Sequence, residues 1–333
     1  MWKIDSNFNQ IIDIAYSFQK SKVFFTAIEL DVFSIIADGS MSAVDIAERI
    51  GCKPNYTERL LNALCSMGLL KKEERLFSNS DAAKKHLVEG SSEYIGSLMH
   101  INNLWDAWTD LSYCLKHGAP KSFRTIDEKD DKWVQDYLIS LKWKAYHEAP
   151  DVVSMMSLRG AKNIIDLGAG SCSYLVEILK QYPTIQAYAF DFPKVIANMQ
   201  NCEQNAAYFK QITMLSGDLM KDDFGSGYDA VLMSYLLNEY SIWDNIALMQ
   251  KVYDSLNKGG TVYIHQQIIS DDKTYPLNAT MESINMLVNT PNGDAMTETD
   301  LWIILKESNF QEIKFRQTEF GTCVVTAKKL SSF

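Results

Sequence analysis

No stretch of this chain approaches the roughly 18 uninterrupted apolar residues a membrane-spanning helix needs. Its start, MWKIDSNFNQ, lacks a charged-then-apolar signal pattern. The six cysteines, at 52, 65, 114, 172, 202 and 323, contain no C-x-x-C and no other metal spacing. Their scatter fits reduced thiols, so a cytoplasmic protein is expected. No contiguous spacing supports a metal, although His147, His265, Glu239 and Asp244 could approach one another. A basic excess is also missing. Thirty-two Lys and Arg face 42 Asp and Glu, and the net charge of −10 disfavours nucleic acid or an anionic membrane as main partner. Disorder is excluded as well, because 47% of the residues are hydrophobic, an ordinary share for a folded protein. The 333 residues suffice for two domains with real cores.

What is present is organised around Asn163–Val195. Ile164–Leu167 reads as a buried parallel strand that breaks at Gly168-Ala169-Gly170. Tyr174, Leu175, Ile178 and Leu179 then recur at helical spacing, and a second strand, Ile185–Phe190, ends on Asp191. A strand, glycine turn, helix and strand closed by an acid is how an open α/β sheet holds an adenosine-bearing ligand. Glycines let the backbone approach the ligand, and the helix start offers unpaired N–H groups. The closing carboxylate can accept both ribose hydroxyls. The dinucleotide fingerprint G-x-G-x-x-G fails, because Ser173 stands where its third glycine belongs. Asp166 would repel a pyrophosphate and suits a ligand carrying an amino group.

Before this unit, Asn9–Ile36 is helical with large apolar residues on both faces, which suggests helices buried against a partner chain. Ser42–Leu70 reads as helix, turn, helix: Ser42 caps the first, Gly51 ends it, and Asn55 or Thr57 caps the second before Gly68. Lys71–Phe77 fits a charged β-wing. This winged-helix pattern invites a DNA-binding reading, yet Met41–Gly90 is near neutral and Glu58 falls in the recognition helix. Dimerisation is the better reading. Tyr94–His117 and Trp133–Met156 are expected as two further helices, with Trp105 walling a pocket and Tyr146 and His147 close to the nucleotide unit.

After Asp191, a helix Phe192–Asn201 leads to strands Ile212–Ser216, Tyr228–Tyr235 and Thr261–Ile269. Helices Ser241–Leu256 and Thr297–Ser308 intervene, and strands Gln311–Thr318 and Thr322–Lys328 close the chain. The alternation predicts an α/β fold with a doubly wound, mostly parallel sheet and a terminal hairpin. Gly168, Asp191, Asp218 and Ser234 through Asn238 should then converge beyond the carboxyl ends of the strands.

At IDLGAGSCS, AFDFPKVI, GDLM, YDAVLMSYLLNEYS, LNKGGTVYI and TPNGDAMTETDL the chain resembles the S-adenosylmethionine-dependent small-molecule O-methyltransferases. The type is that of plant phenolic and bacterial antibiotic-tailoring enzymes. The resemblance implies a winged-helix dimerisation domain (1–95), linking helices (96–159) and a Rossmann-like, seven-stranded methyltransferase domain (160–333). It implies a homodimer, a small-molecule acceptor and S-adenosylhomocysteine as product. Asp166, Gly168 and Gly170 would hold the methionine end of the cofactor. Asp191 would take the ribose, Phe192 would pack on adenine, and Asp218 and Leu219 would flank it. Ser234 falls where many relatives place a lysine, and Cys172 where they have a third glycine. Met281 and Asn285 would line the acceptor pocket with Trp105 and Tyr146.

The departures lie at the chemistry. Relatives carry a histidine base in a Leu-His-Asp-Trp segment, which here reads Leu237-Asn238-Glu239-Tyr240. An amide orients a nucleophile but does not take its proton. The two glutamates that steer the histidine in plant enzymes align with Gln266 and Ala295. The expected reaction is therefore methyl transfer by proximity and alignment onto an aromatic or polyketide-like acceptor whose nucleophile needs no base. A carboxylate, acidic phenol, thiolate, stabilised carbanion or amine qualifies, with Asn238 and Glu239 orienting it. His147 or His265 is a candidate base from another direction. An alternative keeps the cofactor but uses its sulfonium charge for a decarboxylation, hydroxylation or rearrangement. A third reading is a DNA-binding regulator that senses a metabolite.

Overall fold

The computed structural model describes residues 6–96, 98–199 and 206–330. The end of the helix expected through Asn201, and Cys202, lie outside the described residues. The chain forms two compact units, Met1–Asn103 and Leu104–Phe333. The helices expected to link two domains thus fall almost wholly within the second.

The first unit opens with helices α1 (Ser6–Glu29) and α2 (Val32–Ile36). Along α1, Ile11, Ile14, Tyr16 and Phe18 are exposed, while Ala27 joins the core with Val32, Phe33 and Ile36 of α2. Strand β1 (Ser40–Ser42) leads to α3 (Ala43–Arg49) and α4 (Pro54–Ser66), followed by β2 (Leu70–Glu73), β3 (Leu76–Asn79), α5 (Asp81–His86) and α6 (Leu98–Asn103). Ser42 caps α3 by accepting the Asp45 N–H at 3.2 Å. Asn55 and Thr57 do not cap α4. Pro54 takes the first helical position, where its missing N–H costs nothing, and Lys53 precedes it. The three short strands pair in the order β1-β3-β2, so the expected wing is present. Phe77, Ile46, Leu61 and Leu64 pack beneath it.

The second unit begins with α7 (Trp105–Thr109) and α8 (Leu111–His117). The expected helix Tyr94–His117 is therefore three short ones. Asn102, Asn103 and Asp110, whose short polar side chains compete with the helical backbone, fall at the breaks. Helix α9 (Asp131–Ser154) is capped by Asp130, which accepts the Trp133 N–H at 2.9 Å. Then come β4 (Asn163–Leu167), α10 (Ser173–Gln181), β5 (Gln186–Asp191), α11 (Pro193–Met199), α12 (Ala206–Phe209), β6 (Ile212–Ser216) and β7 (Tyr228–Ser234). A 3-10 turn, Leu237–Glu239, precedes α13 (Ile242–Ser255) and β8 (Leu256–Gln266). Helices α14 (Leu277–Asn289) and α15 (Glu298–Glu307) and strands β9 (Gln311–Gln317) and β10 (Cys323–Lys328) finish the fold. Strand β8 starts earlier than expected: Leu256 already pairs with Tyr228, and a register shift follows before Thr261 meets Ala230.

The seven strands lie in the order β6-β5-β4-β7-β8-β10-β9, parallel except for β10, which runs antiparallel to β8 and β9. Chain order reverses at β4, whose neighbours are β5 and β7, and a doubly wound sheet binds ligands at that switch point. Alternate residues face two cores. Ile164, Ala230, Leu232 and Tyr263 lie under α9 and α10, while Ile165, Leu167, Val231 and Ile264 lie under α13 and α15. Fully buried Val134, Leu138, Val152 and Val153 of α9 each contribute about 1.5–3 kcal/mol. They hold that helix against α10 and α11.

Candidate active site

At the switch point the chain leaves β4 through Gly168 (φ +74°) and Gly170 (φ +50°), left-handed conformations that favour glycine. A Cβ on Gly170 would lie 2.7 Å from the Leu141 side chain, so the turn also needs the space. Cys172, where relatives have a further glycine, adopts the same left-handed geometry (φ +55°). Its buried thiol turns away from the turn towards Met199 sulfur, 3.1 Å away.

Asp191 pins this turn from below. Its Oδ2 accepts the Gly170 N–H at 2.8 Å and its Oδ1 the Phe192 N–H at 2.7 Å. Burial pushes its pKa up to about 6, against the pull of those two N–H groups. Phe192 is half-buried beside it. Gly217 follows β6 and donates to the Asp191 carbonyl at 3.0 Å. A Cβ on Gly217 would meet the Phe190 ring at 2.8 Å. Burial pushes the Asp218 carboxyl up, but the Lys221 ammonium at 2.8 Å and the Met220 N–H outweigh it, and the pKa stays below the usual range. Leu219 packs into the core with Phe190 and Phe224.

Asp166 stands on β4 beneath the turn, buried, and neither carboxylate oxygen has a hydrogen-bond partner. Burial raises its pKa well above the ordinary value, and Asp191 adds to the effect. A cation placed over this end of the sheet lowers both costs. The glycine cradle, a carboxylate held for hydroxyls and an uncompensated acid below fit a ligand with a ribose and positive charges, as S-adenosylmethionine has.

Behind the cradle lies a buried polar assembly drawn from five segments. Glu148 of α9 accepts from Tyr235 at 3.1 Å and from Tyr174 at 3.3 Å. His265 Nδ1 lies 3.1 Å from the Tyr174 hydroxyl and 3.0 Å from Ser234 Oγ, and its Nε2 lies 2.8 Å from Thr322 Oγ1. Burial, with help from Lys144, pulls the imidazole down to about 3. His265 is therefore neutral, shielded and fully engaged, which corrects its candidacy as the base. The sign for stability follows. A folded pKa below the unfolded value of about 6.5 makes stability fall as the pH drops from about 6.5 towards 3. Between pH 7 and 5 this residue should account for about 2 kcal/mol. Urea unfolding of the parent and His265→Gln at both pH values checks this, the variant losing that share of the slope.

Asn238 and Glu239 sit on the 3-10 turn beyond β7. The Asn238 side chain is only 2% exposed and its Oδ1 has no partner. Gln266 is also buried with neither amide atom bonded, and Ala295 packs against Ile269 and Ala279. Glu239 is accessible, yet its pKa is pushed up to about 7, by burial first and by Glu282 of α14 second. Both hold when the accessible face opens into a recess rather than to bulk water. Tyr137 of α9 shares that recess: burial raises its pKa, followed by Glu239, Asp191 and Glu282. Lys144 of α9 adds a cation, its Nζ 3.4 Å from the centre of the Tyr235 ring. Asn285 of α14 accepts the Trp108 indole N–H at 3.2 Å, which ties the aromatic α7 to the recess wall.

Two expected site residues are not brought here. Tyr146 is 73% exposed, and at 100° per residue it lies opposite the stripe Tyr137, Leu141, Lys144 and Glu148, of which Glu148 reaches the polar assembly. His147 is exposed on the flank of that stripe and packs edge-on against Trp143 and Tyr146. Met281 is 45% exposed on α14, and Trp105 is half-buried on α7. Sequence reasoning missed Glu148, Tyr174, Tyr235, Lys144 and Glu282. A charged residue at each of two positions of that stripe on α9 was the available signal. Among the described residues no three His, Cys, Asp or Glu side chains could hold a metal ion, so His147, His265, Glu239 and Asp244 do not converge. No described helix is long and apolar enough to cross a membrane.

Comparison with known proteins agrees with this geometry. The O-methyltransferase dimerisation domain matches residues 12–89, and the O-methyltransferase domain matches residues 102–311. A 3-hydroxy-5-methyl-1-naphthoate 3-O-methyltransferase of Streptomyces sahachiroi is 28% identical over 84% of this chain and 83% of its own. The crystal structure of human N-acetylserotonin methyltransferase with S-adenosylmethionine superposes with a TM-score of 0.87 at 22% identity, covering 99% of this chain and 100% of that one. PigF, known from a Serratia strain, superposes in its S-adenosylhomocysteine complex with a TM-score of 0.90 at 21% identity, covering 96% and 99%. With a glycine cradle at the sheet's switch point and a matching domain over more than half its length, the chain belongs to the family of S-adenosylmethionine-dependent O-methyltransferases.

Proposed function

We propose that this protein methylates a hydroxyl of a small aromatic or polyketide-like acceptor, with S-adenosylmethionine as donor and a homodimer as working form. The observation that carries the reading is the pinned turn. Asp191 is fixed by two backbone N–H bonds at the same end of the sheet as the recess of Glu239, Tyr137 and Glu282. Relatives named for a hydroxynaphthoate, a tetracenomycin polyketide and acetylserotonin support a planar acceptor. Exposed Ile11, Ile14 and Phe18 of α1 support a second copy as partner.

Asp191 would hold the ribose hydroxyls, Phe192 and the Asp218–Leu219 segment the adenine, and the Gly168–Gly170 turn with Asp166 the methionine end. When bound, the cofactor supplies an electrophilic methyl group on a positively charged sulfur. The chain's own residues align the acceptor and exclude water. Displacement at a methyl carbon is accelerated chiefly by such alignment. Asn238 and Glu239 sit where the acceptor oxygen would be directed, and Trp108, held by Asn285, would form part of the aromatic wall.

The test is incubation with methyl-labelled S-adenosylmethionine and a panel of hydroxylated naphthalenes and indoles. Labelled ether and stoichiometric S-adenosylhomocysteine are expected. Unlabelled product without S-adenosylhomocysteine would instead favour use of the sulfonium charge alone.

A further inference from the structure

We infer that Glu239, backed by Glu282, takes the proton from the acceptor hydroxyl, the task that Asn238 cannot perform. This rests on the methyl-transfer reading above and adds the base to it.

The geometry places the two carboxylates on elements stitched into one wall. The Asn238 carbonyl accepts the Asp294 N–H at 3.0 Å. The Asp294 carboxylate in turn accepts from the hydroxyl of Ser283, the residue after Glu282. Gly293 packs so tightly under the 3-10 turn that a Cβ there would stand 3.2 Å from the Glu239 carbonyl carbon. Glu239 is thereby held one residue from the position of the missing histidine, its side chain open to the recess.

The groups that interact with it come from three segments. Glu282 lies on α14, Tyr137 on α9 and Tyr240 just past the turn. Burial raises the Glu282 carboxyl, whereas Lys144 pulls it back down. Lys144 has no carboxylate within 4 Å among the described residues, so it acts at longer range. A charged Glu282 disfavours charge on Glu239, which makes Glu239 a stronger base than an ordinary carboxylate. Burial with Glu282 places it at about 7, the region where a base is both unprotonated and effective. The other candidates are closed. His265 is buried and fully bonded, His147 lies on the exposed flank, and burial pushes the Tyr137 and Tyr240 phenols up.

The step balances simply. The acceptor O–H bond breaks, an O–H bond forms on a Glu239 carboxylate oxygen, and the electron pair stays on the acceptor oxygen for the new bond to carbon. Water removes the proton when the product leaves.

The experiment titrates the full-length protein, labelled with 13C at glutamate carboxyl carbons and saturated with S-adenosylhomocysteine, by NMR. One glutamate should titrate near 7. It should be absent in Glu239→Gln and move towards the ordinary value of about 4.3 in Glu282→Gln. A parent protein with no such resonance, or one unchanged in Glu239→Gln, overturns the assignment. The kinetic arm, run at mildly alkaline pH, uses 1-naphthol, still mostly protonated there, and 4-nitrophenol, largely ionised. Glu239→Gln should lose about 100-fold with 1-naphthol and no more than about threefold with 4-nitrophenol. Equal losses with both would overturn it. Calorimetry with S-adenosylmethionine separately tests the methyl-transfer reading, since failure to bind leaves the carboxyl titration readable.

Discussion

Asp191→Ala weakens S-adenosylmethionine binding by about 10²–10⁴-fold in isothermal titration calorimetry, the loss expected when two charge-assisted hydrogen bonds of about 1.5–3 kcal/mol each disappear at one site. The carboxylate has two jobs. It would receive the ribose, and it already holds the Gly170 and Phe192 N–H groups at 2.8 and 2.7 Å. Removing it leaves two donors without their acceptor and frees a turn whose left-handed residues are stable only while their surroundings hold them. A pH dependence follows. Asp191 carries a pKa pushed up to about 6, and a neutral acid is a poorer acceptor for a diol. Affinity in the parent should therefore fall as the pH drops through about 6. The same raised pKa makes Asp191 cost stability without ligand as the pH rises towards 6, so the ligand stabilises most where the bare site is worst. Should the variant bind like the parent, the cradle assignment is wrong.

The nucleotide unit was legible because its signal is local. A strand, two glycines, a helix and an acid fall within some thirty residues, and the backbone supplies the left-handed turns those glycines promise. Cys172 is instructive, since it takes a glycine-like φ of +55° that no composition rule predicts. The polar assembly was opaque for the opposite reason. Glu148, Tyr174, Tyr235 and His265 lie far apart in the chain, and only the sheet register that sets Ser234 beside His265 joins them. Without that register His265 reads as a free base, when it is a sealed neutral strut. Tyr146 misled because proximity in sequence was taken for proximity in space. Half a helical turn separates it from the face that looks inward.

Gly293→Ala should cut turnover by about 100-fold while leaving S-adenosylmethionine affinity within about threefold, because displacing reacting groups by about 1 Å costs that much. The glycine is not in the left-handed region, so its φ is not what demands glycine. Space is. A Cβ would stand 2.3 Å from the Asn238 carbonyl oxygen, itself bonded to the Asp294 N–H, and 2.5 Å from Thr290 Oγ1. The oxygen belongs to backbone, so the 3-10 turn must shift away from α14. Asn238 and Glu239 move with it, and the distance from Glu239 to Glu282 changes. The cradle on β4 and β5 belongs to other elements and keeps its bonds. Overpacking of this kind costs about 1–3 kcal/mol of stability, which a protein of this size survives. The separation of turnover from affinity is thus the diagnostic, read by single-turnover methyl transfer beside calorimetry. A variant with parental turnover would mean that the spacing between the turn and α14 does not govern the chemistry, and a variant that also lost the cofactor would mean the two halves of the site are not independent.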